Sequence, residues 1–301
     1  MLAEPLTYPT PPLSKRDQRA WPPKVDLFGI HLSVTNYDEA TDVVIEAARR
    51  REPALVACQA AHAVVTASCD PDLRAKLNDF DLVTPDGQPV RWAMNLLHGV
   101  NLRERVYGPE LMLRLGRRAA DEGVSIYLYG GSPRVIELLN EKLPRMCPGL
   151  RIAGAESPPF RTLTSEEDQA VVERINAGGA GLVFLGLGCP KQDLFAHAHR
   201  ASIRAVQVCV GAAFDFHAGV KPMAPAWMQR SGLEWAFRLA HEPRRLGRRY
   251  LVTNSLFLFK LAVAWLKSGK KGRLARSGSA ERGNKEPRTD TLNDPRKEPC
   301  K

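Results

Sequence analysis

The chain has 301 residues, 44% of them hydrophobic, which suits one large or two smaller globular units and not a fibrous chain. Its net charge of +10 is uneven: residues 1–243 carry 27 basic and 28 acidic side chains, residues 244–301 carry 16 and 5. All the excess positive charge is C-terminal, so the partner of the basic end need not be the substrate of the core.

Residues 1–24 hold six prolines among scattered charges and read as a disordered arm. Residues 25–34 alternate enough for a strand pair or one bent strand, with Gly29 at a turn or bulge. Asn36 can cap a helix over residues 37–51. A short buried strand (54–58), helices at 61–69 and 72–77, and a strand ending near Asp86 follow. Pro85-Asp86-Gly87 is turn chemistry, which places Asp86 just past a strand's carboxyl end. Ligands of open α/β sheets bind there. Taken alone, the turn also admits a reading in which Asp86 does nothing more than close it.

A helical pattern with Val90, Trp92, Ala93, Leu96 and Leu97 comes next, then Arg105 ahead of Tyr107-Gly108-Pro109. Helix 110–122 precedes a strand over 124–129 that runs into Gly130-Gly131, a turn able to present backbone N–H groups to a phosphate. Gly-Gly at a strand end is more often only a tight turn. Helix 135–143, strand 150–155 and helix 166–176 lead to an apolar strand over 181–187. That strand ends in Gly186-Leu187-Gly188-Cys189-Pro190-Lys191-Gln192-Asp193, where Lys191 offers a charge and Gln192 a bidentate amide. The lone Gly186-x-Gly188 lacks the third glycine of a dinucleotide fingerprint, position 191 being lysine. Strand 205–210 ends at Gly211, with Asp215 just beyond. Strands alternating with helices predict a parallel α/β sheet with crossover helices.

From His217 onward Gly and Pro break the periodicity. Trp227, Glu234, Trp235, Arg238 and a basic cluster from Arg244 to Arg249 precede an apolar helix over 256–266. That helix is read as too short to span a bilayer but suited to a membrane surface, or else as packing on the core. Residues 268–301 read as a disordered basic tail. No run approaches about 18 uninterrupted apolar residues, which predicts no transmembrane helix, and no secretory signal is visible. Six cysteines without a Cys-x-x-Cys pair fit a reducing cytosol better than a disulfide framework.

As a set these stretches resemble the bacterial WecG/TagA/CpsF glycosyltransferases, which build lipid-linked surface polysaccharide precursors. The blocks are Thr84-Pro85-Asp86-Gly87 with Trp92, Arg105 to Pro109, Gly186 to Gln192, Val210 to Asp215, and a last block from Gly219 through Gly232-Leu233-Glu234-Trp235 to Arg249-Tyr250. The resemblance implies a Rossmann-like core (25–222) and a C-terminal helical appendage (223–267) that completes the site and holds the enzyme at the membrane. It implies a UDP-sugar donor, an acceptor saccharide on a polyprenyl diphosphate, no cofactor or metal, and Asp86 as the base. N-acetylmannosamine, its uronic acid or glucuronic acid is the kind of sugar implied. The implied location is the cytoplasm, peripheral on the inner face of the cytoplasmic membrane; homo-oligomerisation is left open. The chain departs from the family where Cys58 and Ala60 replace the usual Thr and Asn, and where Asp193 replaces a glutamate.

That chemistry needs a base for the acceptor hydroxyl and fixed positive groups for the leaving diphosphate. Asp86 is the candidate base. Arg105, Lys191, Arg238 and Arg244, with the turns at Gly130-Gly131 and Gly186 to Gly188, are the diphosphate candidates. Thr84 and Gly87, beside the base, are substrate-binding candidates, and Gln192 and Asp215 are candidates for the nucleotide. Each has a plainer reading: Asp215 as a helix cap, Lys191 as a solvated lysine, Glu234 as a surface partner of Arg238, Trp227 and Trp235 as packing residues. Asp70-x-Asp72 and Asp79-x-Asp81 have the spacing of metal-dependent sugar transferases but begin elements or sit in turns, and are read as structural. Two other functions stay open: a dinucleotide-dependent oxidoreductase, and nucleic-acid binding by the tail, which its lack of aromatics ranks below membrane attachment.

Overall fold

The described chain, residues 20–280 of a computed structural model, opens with an antiparallel hairpin of β1 (Lys24–Leu27) and β2 (Ile30–Ser33). Phe28 and Gly29 form its tip, Phe28 with φ of 61°. Of the two readings of residues 25–34, a strand pair or one bent strand, the fold adopts the pair. Helix α1 (Tyr37–Arg49) follows, capped by Asn36, whose side chain accepts the Glu39 N–H.

A six-stranded, wholly parallel sheet carries the rest: β3 (Ala54–Gln59), β4 (Leu82–Pro85), β5 (Ile126–Gly130), β6 (Ile152–Glu156), β7 (Leu182–Gly186) and β8 (Val206–Cys209). Their spatial order is β4-β3-β8-β7-β5-β6. Strand side chains alternate between faces, and here both faces are buried. Ala54 and Val56 point into one cluster, Leu55 and Ala57 into the other; Leu182 and Phe184 part from Val183 and Leu185 in the same way. The first cluster is closed by α1, α5 (Gly108–Asp121), α6 (Pro133–Met146) and α9 (Ala213–Ala218). The second is closed by α2 (Ala61–Cys69), α3 (Pro71–Asn78), α4 (Gln88–His98), α7 (Ser165–Ala177), α8 (Lys191–Ala198) and the hairpin. The α/β sheet flanked by helices is therefore as the alternation of elements predicts. Helices α8 and α9, short pieces straight after strand-end turns, have no counterpart in the sequence reading.

Beyond α9 the chain forms α10 (Ala226–Arg230), α11 (Glu234–His241) and α12 (Pro243–Ala280). Helix α12 packs along α2 and α4. Leu246 and Phe257 are its buried anchors, and Phe257 meets the Phe28 ring edge-on at 5.3 Å. The expectation of an apolar helix over 256–266 underestimates this element. The 22 residues Leu246–Lys267 are long and apolar enough, by length and composition alone, to cross a membrane. An uninterrupted-run criterion misses them because Arg248, Arg249, Thr253, Asn254, Ser255 and Lys260 break the segment into shorter apolar pieces. Helix α12 also continues to Ala280, into the stretch read as tail; the remainder of the tail and most of the proline-rich arm lie outside the described residues.

Candidate active site

Strand β4 ends at Pro85, and the Asp86 N–H bonds the Gln59 carbonyl of β3 at 3.2 Å, which ties the turn to its neighbour strand. Asp86 is half-buried. Its Oδ2 accepts the Gly108 N–H at 3.1 Å, in the first turn of α5, where the helix dipole favours an anion. Burial nevertheless dominates and pushes this carboxyl up to about 6; Glu234 adds to the rise, while Arg105, the Gly108 N–H and Arg238 oppose it. A carboxylate titrating there suits general-base work near neutrality.

Arg105 is buried beside it. Its Nη2 donates to Glu234 Oε2 at 2.7 Å and to Gln229 Oε1 at 3.4 Å, and the guanidinium lies 4.1 Å from the Tyr107 ring centroid. Nε and Nη1 have no hydrogen-bond partner among the described residues, so they stay available to an anion. Tyr107 OH donates to the other Glu234 oxygen at 2.9 Å, and its backbone N–H donates to Tyr37 Oη at 3.0 Å. Glu234 and Asp86 raise the Arg105 pKa further than burial lowers it. Glu234 is thus buried against Arg105 and Tyr107 and not in the exposed pair with Arg238 that its i,i+4 spacing suggests.

A cavity of about 410 Å³ opens between the sheet's carboxyl edge and the C-terminal helices. Ala60, His62, Asp86, Gly87 and Arg105 line it from the core. Glu234, Trp235, Arg238, Tyr250, Asn254 and Phe257 line it from α11 and α12. The Asn254 side chain has no hydrogen-bond partner among the described residues. Trp235 is 44% exposed and Trp227 62%, which corrects the expectation that both are packing residues.

The other expected residues lie elsewhere. Thr84 is fully buried and its hydroxyl donates to the Val106 carbonyl at 3.2 Å, holding β4 to the Arg105 segment. Gly130 and Gly186 are glycines for packing: a Cβ on Gly130 would lie 2.5 Å from the Gly186 backbone, and one on Gly186 would lie 2.4 Å from the Phe214 ring. The Gly131 N–H is taken by the Gly186 carbonyl, and the Gly188 N–H by Gln192 Oε1 at 3.2 Å. Gln192 is therefore buried in its own turn. Lys191 is exposed at the start of α8, Asp215 pairs with Lys221 at 2.7 Å, and Arg244 is exposed on the first turn of α12. None of these nine lines the cavity. The glycines, Lys191, Gln192 and Asp215 sit further along the same sheet edge, at the ends of β5, β7 and β8, whereas Thr84 lies within β4 and Arg244 on α12.

Asp193 is buried and pushed up to about 6 by burial, against hydrogen bonds with Cys189, Gln59 and Cys209. Among the described residues no group of three or more His, Cys, Asp or Glu is placed to hold a metal. Asp70 caps α3, Asp79 contacts His197, and Asp81 pairs with Arg200, so both Asp-x-Asp motifs have structural roles. The residues missed from the sequence are Glu234, Gln229, Tyr107 and Asn254. Glu234 carried one usable signal, a lone acid between Leu233 and Trp235 in an amphipathic helix start, but nothing local reveals a partner 129 positions away. A family model described as "Glycosyl transferase WecG/TagA/CpsF family" matches residues 25–271.

Proposed function

The chain belongs to the WecG/TagA/CpsF family of glycosyl transferases, and from that premise we propose that it moves a sugar from a UDP-sugar to a polyprenyl-diphosphate-linked saccharide. The coarser statement, a glycosyltransferase of polysaccharide or cell-wall biosynthesis with a sugar donor and a saccharide acceptor, follows from membership itself. Membership also sets aside the dinucleotide oxidoreductase. In the finer reading Asp86 removes the proton from the acceptor hydroxyl as that oxygen attacks the anomeric carbon. The bond to the nucleoside diphosphate breaks on the opposite side, so configuration inverts. Arg105 and Arg238 receive the departing diphosphate without a metal. The protein works on the inner face of the cytoplasmic membrane.

One observation carries this reading: a carboxyl titrating near 6 opens into the same cavity as two arginines from separate elements. Arg105 keeps the Nε–H and both Nη1–H groups without a hydrogen-bond partner among the described residues, which suits the non-bridging oxygens of a diphosphate.

The test is a screen of UDP-sugars against a polyprenyl-diphosphate saccharide, read by mass shift in EDTA. Asp86→Asn should lower kcat by about 10³-fold or more while UDP-sugar binding, followed by thermal shift, persists. Near-normal turnover in Asp86→Asn would remove this residue from the chemistry. Turnover that requires an added divalent ion would replace the arginines as sole counter-charges.

A further inference from the structure

The proposed reaction uses Asp86 and Arg105, yet the carboxylate that touches most of this centre belongs to neither. Glu234 is buried, bonds Arg105 at 2.7 Å with one oxygen and Tyr107 OH at 2.9 Å with the other, and comes from α11. Gln229 of α10 bonds the same Arg105 Nη2 at 3.4 Å and is itself tied to the Ala224 carbonyl at 2.7 Å. The ion pair uses Nη2 alone and leaves Nε and Nη1 without a hydrogen-bond partner among the described residues, on a side chain that lines the cavity. Its second contact, through Tyr107, reaches the residue that precedes Gly108, whose N–H holds Asp86. One side chain from the C-terminal helices thus bonds Arg105 directly and reaches Asp86 through the Tyr107-Gly108 segment.

We propose that Glu234 is a positioning residue for sugar transfer: it fixes Arg105 and the Tyr107-Gly108 segment in register with Asp86, and so makes the catalytic turn depend on seating of α10 and α11. This rests on the reading of Asp86 as base and Arg105 as a diphosphate cation. A carboxylate is suited to the task because it accepts from both partners at once, which an amide oxygen and nitrogen do not. It also sets the charge around the base. The charged groups facing Asp86 are Arg105 and Arg238, which favour its ionised form, and Glu234, which disfavours it; Tyr37, Tyr107 and Cys58 face it as neutral groups, their own pKa values raised chiefly by burial.

The test compares Glu234→Gln with Glu234→Asp in the full-length enzyme. Glu234→Gln keeps the shape and removes the negative charge. It should lower kcat about 10-fold or more and move the acid limb of the kcat–pH profile down by roughly half a unit or more. It should also speed amide hydrogen exchange in α11 and the start of α12. Glu234→Asp keeps the charge and should leave the limb near its original pH. Tyr107→Phe removes one of the two contacts and should give smaller changes in kcat and exchange, which keeps the idea testable if Glu234→Gln folds poorly. An unmoved acid limb in Glu234→Gln, with or without faster exchange, overturns the proposal, because a merely structural anchor would loosen the helices without retuning the base. If Asp86→Asn itself turns over normally, the base assignment fails instead. Faster exchange in Glu234→Gln would then still support the seating role, and unchanged exchange would end it.

Discussion

Burial lifts the Asp86 carboxyl from an ordinary 3.8 to about 6, so at neutral pH the fold carries a charge it would hold more easily unfolded. A raised folded pKa means the protonated form is favoured by folding. The associated stability is fully present below about pH 4 and is lost as pH rises through about 6. Asp86→Asn should therefore stabilise the protein at pH 8 by up to about 3 kcal/mol, with the gain fading to nothing below pH 4. Thermal unfolding of both proteins across pH 3.5–8 checks this, and a gain that persists at pH 4 would show that the cause is not ionisation. Asp86 could be picked from the sequence because its signal is local: a strand end, then Pro-Asp-Gly. Glu234 could not, since its neighbours at i+4 suggest a surface pair and only the folded chain brings Arg105 to it. Gln192 misled for a related reason. An amide in a glycine turn is equally able to serve a ligand or its own turn, and here it caps the Gly188 N–H.

At the scale of elements, the sheet was legible because its strands are runs of four to six residues, most of them apolar, and those near Asp86, Gly130, Gly186 and Gly211 close on a glycine or Asp-Gly turn. Strand order was not, because parallel pairing leaves no turn signature between neighbours. The short helices α8 and α9 are hidden because they begin within a few residues of the strand-end glycines: α8 starts at Lys191, three residues after Gly188, and α9 at Ala213, two residues after Gly211. The docking of the C-terminal helices shows a more specific device. Gly232, at φ of 77°, sits where a Cβ would lie 2.6 Å from the Trp92 ring of α4. Gly232→Ala must both adopt a left-handed backbone and displace that ring, at a cost of about 1–2 kcal/mol for the backbone alone. The measurable result should be a lower Tm and a higher KM for donor, with kcat less affected. Adding Trp92→Ala should restore part of the loss by removing the obstruction but not the backbone strain; no recovery at all would mean that Trp92 is not what Gly232 accommodates.

For the molecule as a whole, charge and exposed apolar surface converge on one element. Leu251, Val252, Phe259, Trp265 and Leu266 of α12 are all more than half exposed, while Leu246 and Phe257 on the same helix are buried against the body. Crossing a bilayer with this segment would strip the buried face from α2 and α4, so we read α12 as lying along a membrane surface with its outward face inserted. Arg248, Lys260 and Lys267 share the segment and would meet anionic headgroups. Phe259→Glu and Leu266→Glu should each weaken binding to vesicles containing anionic lipid on the order of 10-fold, since each removes a large apolar side chain from the bilayer boundary and adds a repelled charge. Residual binding should fall as salt rises, because the basic groups act over a Debye length. Cosedimentation of the intact chain and the two variants, at low and high ionic strength, reads both effects. Equal binding by all three proteins would place the membrane contact elsewhere, and binding insensitive to salt but lost in both variants would leave insertion as the attachment and remove the basic residues from it.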